Sequence, residues 1–220
     1  MGWELLTAAL LGLGLAALVN WGADRLPGGE SHAGPSLWLR QDGALRVERH
    51  AFVTLLCAAG LPLLTWALGV SWSTAMLALW SAVFLLIAVI DFEHRLVLNK
   101  VLLAVAAVAL AASAARLPMA PVLWRSLAGG GVGLVLFLLV ALVGRGAMGA
   151  GDVKLAAAIG LVVGYPAVLS ALFAGILCGG VAAVVVILQG KGRHATIAYA
   201  PWLSLGAVIV MSAGALSAFA

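Results

Sequence analysis

Residues 147–160 read AMGAGDVKLAAAIG. Small residues lead to Asp152 and Lys154, and from Leu155 onward the chain turns almost wholly apolar. What a carboxylate does at the mouth of such a run depends on the solvent around the run. The chain has 220 residues, of which 65% are hydrophobic and 9% charged, and its mean hydropathy is +1.18. These values lie far outside the range of a water-soluble domain. The apolar runs repeatedly reach the roughly 20 residues a helix needs to cross a bilayer core, and they lack the alternation of barrel strands. The fold class expected is all-α, a polytopic membrane helical bundle of about eight transmembrane helices.

The spans are expected near 3–22, 50–69, 73–91, 97–115, 123–144, 153–164, 167–189 and 201–219. The sixth is short for a full crossing and contains Gly160, so tilt, extension into 144–152 or shielding by neighbours is expected there. Charge supports the count, because short cytoplasmic loops retain Lys and Arg while translocated ones are poor in them. Arg25, Arg40, Arg46, Arg49, Arg95, Lys100, Arg145, Lys154, Lys191 and Arg193 fall on one side, and Arg116 and Arg125 on the other. Ten against two puts both termini outside the cytoplasm. The net charge of +4 then follows from this bias, with a basic face toward anionic lipid and no nucleic-acid partner.

No basic segment precedes the first apolar run, which is long for a cleavable signal, so it is expected to be retained as a span. Cys57 and Cys178 lie in separate apolar spans without CxxC spacing and read as small packing residues. The glycines of AGGGVG (128–133) and AGILCGG (174–180) read as points of close helix approach. The whole chain, 1–220, is expected to form a single membrane domain. Its one sizeable extramembrane segment is a cytoplasmic loop at 23–49, with a short hairpin around Asp42-Gly43.

Of the eight acidic residues, Asp91, Glu93 and Asp152 stand next to apolar helix ends. Asp91 closes the third span in LLIAVIDFEHRLVLNK (85–100), and Asp152 opens the sixth. Both are expected at the cytoplasmic membrane boundary, where two carboxylates distant in sequence can meet at one depth. Ionisable groups there are costly and are functional candidates. A structural reading stands beside this one: Asp152 as the N-cap of its helix after Gly149 and Gly151, and Asp91 as a solvated helix end paired with Arg95 at i+4. Glu93 and His94 are expected to be solvated.

GAGDVKL (149–155) resembles the GxGD motif, with its following lysine, of the type IV prepilin peptidases, a family of intramembrane aspartic proteases. Other segments agree in order. GLGLAALVNWGADRLP (12–27) is similar to the family's first span ending, through Asn20, Arg25, Leu26 and Pro27. RHAFVTLL (49–56) resembles the start of its second span, IDFEHRLVLN (90–99) the segment of the first catalytic aspartate, and IAYAPWLSLGA (197–207) the start of the last span.

The resemblance implies Asp91 and Asp152 as the catalytic pair. It implies that the glycines around Asp152, Gly149 and Gly151, let substrate backbone come close, with Lys154 and Asn99 as further site-supporting residues. Lys154 is read as fixing the loop rather than meeting lipid phosphate. The substrate implied is a prepilin or pseudopilin precursor, cleaved after its basic leader at the cytoplasmic face of the bacterial inner membrane, with no metal or other cofactor.

Two departures stand out. Leu98 precedes Asn99 where family members usually carry proline, which bears on that turn and leaves Asp91 in place. The 23–49 loop has no cysteine, whereas many bacterial members carry two CxxC pairs resembling a zinc site, which needs four thiolates. Cleavage without zinc is therefore expected, with N-methylation of the product absent or weak. Two other functions compete: a proton-coupled small transporter, which would show a repeat and midplane carboxylates, and a catalytically silent pilus or secretion assembly factor.

Overall fold

The computed structural model describes residues 2–27, 44–144, 148–188 and 198–219. Among them the chain forms eight helices and no strand: α1 (Gly2–Arg25), α2 (Ala44–Leu68), α3 (Trp72–His94), α4 (Asn99–Ala114), α5 (Leu123–Val143), α6 (Ala150–Val163), α7 (Ala167–Leu188) and α8 (Ala200–Phe219). It is a polytopic helical membrane protein. Six of these helices are long and apolar enough to cross a membrane, whereas α4, with 16 residues, and α6, with 14, are shorter.

Helix boundaries depart from the apolar runs most at the start of α2, and the departure at the start of α6 bears on the site. α2 begins at Ala44 rather than near 50, because ALRVERH is rich in helix formers and hydrogen bonding continues past the end of the apolar stretch. α6 begins at Ala150, three residues early, and stops where Gly164 takes a φ of +77°, a conformation that disfavours a Cβ. The hairpin expected around Asp42-Gly43 lies outside the described residues, as do Arg40, Arg145, Lys191 and Arg193. Leu98, the N-cap of α4, has a φ of −71° and a ψ of 119°. That φ lies close to the one a proline ring imposes, so the backbone at Leu98 is one that a proline would also adopt.

Several tryptophans mark helix ends. Trp3 and Trp21 lie near the two ends of α1, Trp66 near the end of α2, Trp72 at the start of α3 and Trp124 at the start of α5, and all five are exposed. Amphipathic indole rings settle at the two membrane–water interfaces. Arg25 stacks over Trp21 at 5.6 Å and Arg125 over Trp124 at 5.4 Å, which keeps each charge at its helix end.

The helices gather into two compact units, one of Met1–Leu96 with Ser212–Ala220 and one of Val97–Met211. In the first, α1 lies against α2 where a Cβ on Gly12 would strike the carbonyl of Cys57, and against α3 where Gly22 faces Leu86. Cys57 and Cys178 are both free and half-buried. α3 is anchored at its start by Ser71, whose hydroxyl accepts from the Thr74 N–H at 3.1 Å.

In the second unit, α5 and α6 pack backbone to backbone. A Cβ on Gly129 would meet the Gly160 carbonyl, one on Gly160 the Gly129 carbonyl, and one on Gly133 the Ala156 carbonyl. Small residues permit such close approach where lipid supplies no hydrophobic drive between helices. The buried Ser126 hydroxyl donates to the Leu161 carbonyl at 2.6 Å, tying α5 to α6. Gly175 and Gly206 face each other between α7 and the first part of α8. Within AGGGVG and AGILCGG the close-approach reading holds for Gly129, Gly130, Gly133, Gly175 and Gly179, while Gly131 and Gly180 face open space.

Candidate active site

Asp91 stands in the last turn of α3. That helix ends because Arg95 takes a left-handed conformation, φ 51° and ψ 40°, and its backbone N–H donates to the Asp91 carbonyl at 2.9 Å. The Asp91 side chain is buried, with 6% of its surface exposed. The solvated helix end weighed from sequence is therefore corrected: α3 carries its apolar packing through Val89 and Ile90 into this turn, so the carboxylate is enclosed.

Glu93 is corrected too. Its Oε2 accepts from Arg49 Nη1 at 2.6 Å, and its side chain is 21% exposed. Arg49, in the first turns of α2, has a side chain only 11% exposed and also donates through Nη2 to Asp24 Oδ1 on α1 at 2.5 Å. His50 completes the cluster, its Nε2 lying 3.2 Å from Asp24 Oδ2. One guanidinium thus bridges the C-terminal ends of α1 and α3. Such a partly desolvated, multiply paired arginine counts for more than an isolated surface pair.

In the other unit, Asp152 occupies the third position of α6. The N-cap is Gly149, extended at φ −70° and ψ 145°, so the expectation that Asp152 itself caps the helix is corrected. The Asp152 N–H donates to the Gly149 carbonyl at 3.1 Å, and its carboxylate accepts from the Gly149 N–H. This reach-back is the carboxylate half of a capping box. The side chain is half-buried. The first turn of a helix also favours negative charge through the macrodipole.

The neighbouring expected residues fall around this helix start. Lys154 Nζ donates to Asn99 Oδ1 at 2.9 Å, fastening the start of α6 to the start of α4. At Gly151 a Cβ would come within 2.9 Å of the Val97 Cβ, so the missing side chain is replaced by Val97. Gly149 is exposed, and the nearest atom to a Cβ there is Asp152 Oδ2, at 3.6 Å.

Tyr199, just ahead of α8, was not singled out by sequence. Its burial, and after that the charge of Asp152, hold its phenol above the ordinary range. Its ring packs on α7, where a Cβ on Gly179 would lie 2.9 Å from Tyr199 Cε2. Among the described residues, no group of three or more His, Cys, Asp or Glu side chains is arranged to hold a metal ion.

Residues 76–184 match the model of the type IV leader peptidase family. The prepilin leader peptidase/N-methyltransferase of Bacillus subtilis (strain 168) is 26% identical over 143 residues, which is 64% of this chain and 56% of that protein. The match spans little more than half the relative's length. No solved structure matches the chain.

Proposed function

The chain belongs to the type IV leader peptidase family through residues 76–184, and on that premise we propose that it is an intramembrane aspartic endopeptidase acting on prepilin or pseudopilin precursors. The observation that carries the reading is that Asp91 and Asp152 both fall inside the matched stretch, each in a terminal turn of an apolar helix. Ionisable carboxylates at such positions are costly and call for a use.

The chemistry follows from the residue type. Two carboxylates acting together share one proton and titrate as a unit. One takes a proton from water as the water adds to the scissile carbonyl. The other gives its proton toward that carbonyl oxygen, and the leaving amine is protonated as the C–N bond breaks. One water is consumed for each peptide bond cleaved. Lys154 and Asn99 hold the start of α6 and so fix Asp152.

The precursor's apolar helix would lie in the bilayer and its basic leader at the cytoplasmic face of the bacterial inner membrane. The ten-to-two distribution of Lys and Arg supports that orientation, with both termini outside the cytoplasm. A cysteine introduced at Asp42 is expected to label only after the membrane is permeated, and one at Pro118 without permeation. The chain's two cysteines, Cys57 and Cys178, cannot supply a four-thiolate zinc site, so cleavage is expected to survive chelation.

The deciding experiment is mass spectrometry of a prepilin incubated with the enzyme in membranes, with S-adenosylmethionine present. The expected product is the leaderless pilin carrying little or no N-methyl group. An intact precursor with every prepilin tried would sink the peptidase reading, and efficient methylation would overturn the reading of the loop.

A further inference from the structure

Arg49, Asp24 and His50 lie outside the family-matched stretch and take no part in the chemistry above, yet through Glu93 they grip the helix end that carries Asp91. Glu93 follows Asp91 by two residues in the last turn of α3. Terminal turns lack half of their intrahelical hydrogen bonds and fray unless something holds them. At this end two devices act. The Arg95 N–H closes on the Asp91 carbonyl, and Arg49 pulls Glu93 toward Asp24 through contacts of 2.6 and 2.5 Å.

The three partners come from three helices, separated by 25 and 44 residues in sequence. Fraying of α3 would have to break a charge-assisted contact in a poorly hydrated place. We infer that Arg49 is a positioning residue: by pairing Glu93 with Asp24 it locks the last turn of α3 and fixes where the Asp91 carboxylate sits. This rests on the assignment of Asp91 as a reacting carboxylate. The prediction for the cluster is specific. With its side chain only 11% exposed and paired with Asp24 and Glu93, Arg49 is expected to act on the rate of the bound complex rather than on binding.

The test uses the full chain reconstituted with a prepilin, comparing Arg49→Gln, Glu93→Gln, the double variant and Asp91→Asn, each normalised to folded protein. Arg49→Gln and Glu93→Gln are each expected to lower kcat by about tenfold or more, the scale on which misplacement of a reacting group acts, while KM changes less than about twofold. The double variant is expected to be no worse than either single one, because both remove the same tie.

In parallel, with Cys57 and Cys178 replaced by alanine, the alkylation rate of a cysteine at position 91 is expected to rise at least about tenfold when Arg49→Gln is added. Wild-type kcat in both single variants, with Asp91→Asn inactive, overturns the positioning role and leaves the peptidase reading standing. Cleavage by Asp91→Asn overturns the peptidase reading instead, and the alkylation rate at position 91 then decides the inference by itself: an unchanged rate overturns it. Loss of folded protein in both Arg49→Gln and Glu93→Gln overturns it too, since the cluster would then serve stability alone.

Discussion

Asp91 ends a helix and Asp152 begins one, and the difference runs through everything around them. Asp91 is buried at the C-terminal end of α3, where the helix dipole opposes a negative charge, and its turn is held by side chains from three helices. Asp152 is half-buried at the N-terminal end of α6, where the dipole favours its charge, and it is held by the Gly149 backbone within its own turn. The same residue type is therefore placed by long-range contacts in one unit and by local backbone in the other. A local device tolerates change nearby, whereas a long-range one fails when any of its distant partners is lost.

The largest effect expected would erase the contrast. If both carboxylates react, Asp91→Asn and Asp152→Asn each lower prepilin cleavage on the order of 10³-fold or more, measured as the rate of leader loss by gel shift in membranes. A variant that processes at the wild-type rate would separate the two residues by function as well as by setting.

The next effect concerns the helix that carries Asp152. Gly160→Ala drives a Cβ into the Gly129 carbonyl and is expected to destabilise the protein by about 2 kcal/mol. Gly131→Ala, facing open space, is expected to stay within about 0.5 kcal/mol. Unfolding by denaturing detergent reads both, and equal midpoints would mean that the α5–α6 contact does not govern stability.

A third comparison sharpens the difference between the helix ends. Asp91→Glu adds a methylene to a buried site and is expected to cost about 1 kcal/mol or more. Asp152→Glu lengthens a side chain at the third helix position, where glutamate also closes a capping box, and is expected to leave stability unchanged. The same detergent titration measures both, and the reverse order would show that burial does not distinguish the sites. The smallest effect is at Ser126. Ser126→Ala removes one interhelical hydrogen bond to Leu161 and is expected to cost about 0.6 kcal/mol, the usual value within a membrane bundle.

Much of this fold follows from the length of apolar runs. In a bilayer every backbone polar group must be satisfied within its own helix, so a long apolar stretch has few other options. For that reason the expected spans lie close to α1, α3, α4, α5, α7 and α8, and Asp91 and Asp152 stand out as carboxylates at the ends of such runs. The local pattern is less informative about where hydrogen bonding continues beyond the apolar stretch, which is why α2 reaches back to Ala44.

Tertiary structure decided what spacing along one chain cannot express. Glu93 reads as solvated when only its own segment is considered, and its partner Arg49 lies 44 residues away on another helix. Asp152 looks like a cap until the backbone shows Gly149 in that place. Gly129 and Gly131 are alike in sequence, and only the neighbouring helix makes one indispensable and leaves the other free. The physical reason is common to all three. Hydrophobicity acts on each segment through its own composition, whereas ion pairs, caps and close contacts depend on directions and distances that exist only after the helices have packed.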